Sequence, residues 1–174
     1  MLNDKLWKND LAQIIKELLL WSSKEYKRYN PKAEHIINRG LLYSAIIIRK
    51  ATEDDKDAKP FFEEHSMAEQ VLKTLYYNVP VLTYDYLPTD DFINKKCFPE
   101  YYDIENSEEM QLPLDRVCNQ IIHSYKWGIL YEPNSRGIHG VLFASDRFKG
   151  KCVYLLRIED WINAIQFVID NYCF

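Results

Sequence analysis

The stretch Leu112 to Lys126, LPLDRVCNQIIHSYK, constrains the fold more than any other part of the chain. Leu114, Val117, Cys118, Ile121, Ile122 and Tyr125 recur at the spacing of a helix with one face in a core. Pro113 suits the first turn, where its missing N–H is not needed, and Gly128 is placed to end the helix. Turning about 100° per residue gathers Arg116, Asn119, Gln120 and His123 into a polar stripe opposite the apolar one. Most such stripes are simply solvated. This one has no Glu; it holds an Arg, which grips phosphate with a planar fork of donors, and a His, which exchanges a proton near neutral pH.

Apolar residues at helical spacing predict further helices on both sides of this one. The first covers 4–29, with Leu6, Trp7, Leu11, Ile14, Ile15, Leu18 and Leu19 inward. Residues 18–21 are apolar nearly all round, so that turn is expected to be buried on two sides or to meet another subunit. A second helix over 32–53 carries Ile36, Ile37, Gly40, Leu41, Ser44, Ile47 and Ile48 on its stripe. Gly40 costs about 1 kcal/mol against Ala in a helix interior, which a close helix crossing would offset. Residues 60–78 and 159–172 have the same periodicity. Between them, 81–87 alternates as a short strand or extended arm, the acid-rich 88–111 reads as a long surface loop, and 127–135 as an irregular connection. GIHGVLFAS (137–145) and KCVYLLRI (151–158) are β-rich and joined by a turn, which predicts a hairpin with His139 as an exposed loop side chain. The expected architecture is one domain over 1–174, mainly α with some β. It is a bundle of about five helices with a C-terminal β-hairpin packed before the last helix.

Composition removes several function classes. No apolar run approaches the roughly 20 residues that span a bilayer, and the N-terminal pattern is amphipathic rather than that of a signal peptide. Cys97, Cys118, Cys152 and Cys173 are scattered with no CxxC pair, which suits a reduced, cytoplasmic protein. No metal-ligand cluster, glycine-rich phosphate loop or GxSxG is present, so no metal or other cofactor is expected. The net charge of −4 argues against indiscriminate nucleic-acid binding. From Lys126 to Arg157, however, Lys126, Arg136, Arg147, Lys149, Lys151 and Arg157 face only Glu132 and Asp146. Lys126, Arg147, Lys149 and Lys151 are therefore candidate RNA-binding residues, against the ordinary reading of solvated hairpin charges.

Arg116 and His123, with six residues between them, resemble the R-x(4–6)-H motif of the HEPN superfamily. The resemblance implies a mainly helical fold and metal-independent ribonuclease activity in a toxin–antitoxin or antiviral defence system. It also implies a homodimer with the two motif helices at its interface, and an antitoxin or defence protein as partner. The catalytic set it implies is Arg116 on the phosphate and His123 moving the proton. Val117 stands where the family often has a polar residue, and Asn119, one turn before His123, is read as its substitute. The competing expectation is a non-catalytic helical interaction or scaffold protein of such a module, in which the stripe is plain surface and 18–21 carries the contact.

Overall fold

An antiparallel sheet sets the architecture. The computed structural model of the chain describes residues 4–26, 28–58, 77–87, 102–132, 137–145 and 151–171, without the side chains of 4, 5 and 53–58. The strands are β1 (Asn78–Asp85), β2 (Glu108–Pro113), β3 (Ser124–Tyr131), β4 (Ile138–Ser145) and β5 (Cys152–Arg157), in the order β2-β1-β5-β4-β3. Among the described residues four helices accompany them: α1 (Asp4–Ser22), α2 (Pro31–Ala58), α3 (Leu114–Ile122) and α4 (Ile158–Asn171).

Alternation along the strands assigns the two faces. Val79, Val81, Val141, Phe143, Tyr154 and Leu156 point to the helices, where Leu11, Leu18, Ile37, Leu41, Ile121, Trp161 and Ile165 complete the main core. Tyr84, Leu142, Ala144, Val153 and Leu155 point the other way and form a second cluster with Tyr102. β4 and β5 are thus apolar on both faces, as expected of the middle strands of a covered sheet.

The expected bundle of about five helices is overturned by this five-stranded sheet. The two runs expected as a hairpin do pair antiparallel, with Gly140 opposite Arg157 and Phe143 opposite Tyr154. β1 then pairs with the far side of β5, Leu82 opposite Leu155, and β3 with the far side of β4. The segment expected over 81–87 as a short strand or extended arm belongs to β1, which starts at Asn78 and ends at Asp85. The supposed surface loop ends in β2, and the supposed irregular connection over 127–135 begins inside β3. Of the helix expected over 60–78, only residues 77 and 78 are described, and Asn78 already belongs to β1; the rest lies outside the described residues.

Two glycines mark close approaches. A Cβ on Gly40 would lie 3.1 Å from Leu18 Cδ2, so the expected close crossing is that of α2 over α1. A Cβ on Gly140 would lie 2.7 Å from both the Leu156 carbonyl oxygen and Leu155 Cδ1, and 3.3 Å from Arg157 Cα. The carbonyl cannot retreat without opening the β4–β5 ladder. Gly140→Ala should therefore cost about 1–3 kcal/mol, the usual range for overpacking. Urea unfolding followed by circular dichroism would show it, and an unchanged midpoint would contradict this packing.

Candidate functional site

α3 is short because its neighbours fix both ends. The Leu114 N–H donates to the Tyr77 carbonyl at 2.8 Å, tying the first turn to the start of β1. The Asp115 carboxylate accepts from the Arg116 N–H at 2.7 Å, a negative group at the positive end of the helix. At the other end the His123 N–H donates to the Asn119 carbonyl at 3.1 Å and the Ser124 hydroxyl to the Gln120 carbonyl at 2.6 Å. Ser124 then enters β3 opposite Ser145. The helix therefore stops at Ile122, before Gly128 is reached, and Tyr125 is 36% exposed rather than part of the core face.

The inner face of α3 matches the sequence pattern: Leu114, Val117, Cys118 and Ile121 are buried against α2 and the sheet. Burial pushes the Cys118 thiol far above its usual range, with Asp115 adding to the effect. Cys152, half buried, is raised for the same main reason. The thiolate is the reactive form, so Cys118 should resist a maleimide or disulfide reagent at pH 7 until the chain unfolds. Mass spectrometry of labelled peptides tests this; rapid labelling of Cys118 in the native protein would contradict its placement.

The outer face divides into structural and free groups. Gln120 is structural, since its side-chain oxygen accepts from the Ser145 hydroxyl of β4. Asn119 is half-buried, whereas Arg116 and His123 are exposed. Among the described residues, neither Arg116 nor His123 has a side-chain hydrogen bond or ion pair. They share a face but stand seven residues apart, a rise of about 10 Å. One chain thus presents both to a ligand lying along α3 without bringing them into contact.

His123 lies at the end of the sheet where β3 begins, β4 ends and β5 begins. Exposed Lys126 and Lys151 stand at that same end, with the Lys151 carbonyl accepting from the Tyr86 N–H at 2.7 Å. Arg147 and Lys149 lie outside the described residues. An aromatic group at this end was not legible in the sequence: Tyr86 and Tyr102 meet edge to face with centroids 5.8 Å apart, and the Tyr102 phenol is hydrogen-bonded to Tyr125. Burial, then Tyr125, raises the Tyr102 phenol well above its usual range. These tyrosines come from separate segments, and no spacing rule joins them.

The opposite end of the sheet carries a different polar group. His139, expected as a loop side chain, sits on β4 at a register shift, and its Nδ1 lies 3.0 Å from Glu132 Oε1. Arg157 lies 4.0 Å from Asp160, whose carboxyl is raised mainly by burial. On α1 and α2, a groove of about 440 Å³ runs between Asp10, Glu17, Arg39, Tyr43 and Ile46. Arg39 bonds Glu17 at 2.7 Å across it. Within 18–21, Leu18 is buried, while Leu19 and Leu20 are 52% and 56% exposed, so the turn is covered on one side only.

Among the described residues no group of three or more His, Cys, Asp or Glu is placed to hold a metal ion, and no helix is long and apolar enough to cross a membrane. Comparison with protein-family models, with curated proteins and with solved structures finds no match to this chain.

Proposed function

We propose that this chain cleaves RNA without a metal ion, at the outer face of α3. The observation that carries the reading is the placement of Arg116 and His123 on one exposed helix face, with neither side chain hydrogen-bonded or ion-paired among the described residues. RNA lying along α3 would meet Arg116 first, then Asn119 and His123, then Lys126 and Tyr125 at the start of β3. In the reaction the ribose 2′-oxygen bonds to the adjacent phosphorus and the bond to the 5′-oxygen breaks. His123 moves the proton, Arg116 stabilises the phosphate charge, and Asn119 orients one of the two. Lys126, Lys151, Arg147 and Lys149 would hold flanking phosphates, and tyrosine faces would stack bases.

The likeness to HEPN proteins now rests on the motif, because the helical bundle is replaced by a sheet. With the activity would go the setting that the likeness implies: a toxin–antitoxin or antiviral module with an antitoxin or defence protein as partner. We place the protein in the cytoplasm, where a free thiol such as Cys118 stays reduced. A second reading, a non-catalytic interaction protein, draws support from the α1–α2 groove and the exposed Leu19 and Leu20.

The test uses purified full-length chain, single-stranded RNA and EDTA. Wild type should cut the RNA and Arg116→Ala should cut it at least about a hundredfold more slowly, as for loss of one transition-state donor. Absence of cleavage by wild type would leave the interaction reading in its place.

A further inference from the structure

The two edges of the sheet are built differently. β2 is guarded: Glu108 and Glu109 are exposed, and Pro113 ends the strand. Charge and proline are the usual means of keeping an edge from pairing with another chain. β3, the other edge, reads SYKWGILY, with Lys126 its only charge and no proline. β4 beside it is buried at every position but His139, whereas 126–131 has no buried residue. Among the described residues, β4 is the only strand on β3, and no further backbone hydrogen bond reaches 127–131.

We propose that β3 pairs antiparallel with β3 of a second copy of this chain, Ile129 facing Ile129 across a two-fold axis. The sequence of the strand selects this register. A two-fold perpendicular to the sheet keeps each face on its own side, so opposed residues must share a face. Trp127, Ile129 and Tyr131 all pack on the helix side, and Leu130 on the other. With Ile129 on the axis, Trp127 stands opposite Tyr131, Gly128 opposite Leu130, and Lys126 opposite Glu132, each twice. Aromatic and opposite-charge cross-strand pairs are the favourable kinds. With Gly128 on the axis, Lys126 would instead face Leu130 and find no opposite charge. An isologous contact of this kind closes at two subunits and gives one continuous ten-stranded sheet.

This dimer differs from the one implied by the motif helix. His123 lies six residues from the axis, about 20 Å at strand rise, so the two histidines stay far apart. Its failure would leave the proposed cleavage by each chain untouched.

Light scattering on the full chain tests the contact. Wild type should show twice the 20.8 kDa chain mass at tens of micromolar. Lys126→Glu and Glu132→Lys should each weaken the dimer by about tenfold, because each sets two like-charge pairs in place of two opposite ones. The double exchange, Lys126→Glu with Glu132→Lys, should restore it. As a check that needs no variant, amide exchange within 127–131 should slow as wild-type concentration rises. A wild-type monomer, a dimer indifferent to the single changes, or a double exchange that fails to restore association would each overturn the proposal.

Discussion

Trp161→Ala should lower stability by about 3–5 kcal/mol, the range for truncating a buried large aromatic. Trp161 is 0% exposed and sits near the start of α4, facing α2 and the sheet. Its indole Nε1 donates to Ser44 Oγ at 2.9 Å, and the Ser44 hydroxyl reaches the Gly40 carbonyl at 2.7 Å. Gly40 is where α2 crosses Leu18 of α1, so this one side chain ties the last helix to the α1–α2 pair. Its removal leaves a cavity that rigid neighbours on three elements cannot close, and a Ser44 hydroxyl without its donor. A total stability of about 5–15 kcal/mol is usual, so the loss is a large fraction. Ser44→Ala isolates the polar part: it orphans a buried indole N–H and should cost about 1–3 kcal/mol. Urea titration by far-ultraviolet circular dichroism measures both. A loss below about 1 kcal/mol for Trp161→Ala would contradict its place in the core.

What the sequence shows of this fold depends on whether neighbours in the chain or partners far along it decide the structure. α2 was legible over 32–53, where Ile37, Gly40, Leu41, Ser44, Ile47 and Ile48 of the expected stripe are buried and Ile36 is half-buried, but not in its charged continuation to Ala58. So was α4, through Trp161, Ile165 and Val168. In α1 the periodicity over-counted: Leu6 and Leu19 match the stripe yet are exposed, because a helix pattern does not say how wide its partner is. The strands were harder. β4 and β5 announce themselves by unbroken apolar runs, but nothing local says that β1, some seventy residues earlier, will lie against β5. β2 is nearly invisible to any apolar pattern, since an edge strand exposing Glu108, Glu109, Met110 and Gln111 has little to alternate. β3 was masked by continuation: the helical pattern of 114–122 runs on by chance through Tyr125, while pairing with β4 claims the chain from Ser124. Strand preference of this kind is set largely by partners, not by the segment itself.

The candidate site was legible in part for the same reason. The outward stripe on α3 follows from helix geometry, and Arg116 and His123 are exposed as that geometry requires. Gln120, on the same stripe, is taken by Ser145 of a strand the pattern could not place beside it. The tyrosine group of 86, 102 and 125 and the His139–Glu132 pair are products of strand pairing. They could be found only once the sheet was known.

His123→Ala should reduce RNA cleavage by about 10²–10⁴-fold, the usual contribution of a positioned proton-transfer group. The exposed imidazole has no hydrogen bond or ion pair among the described residues, so the substitution should change stability by no more than about 0.5 kcal/mol. Loss of cleavage would then report chemistry and not unfolding. The most direct measurement compares an RNA oligonucleotide with the same strand carrying one 2′-deoxy sugar at the cut position. Wild type is incubated with each in EDTA, beside His123→Ala. Wild type should cut only the all-ribose strand and leave a cyclic phosphate, and His123→Ala should cut neither at a comparable rate. Equal cutting of both strands by wild type, or unchanged cutting by His123→Ala, would contradict it.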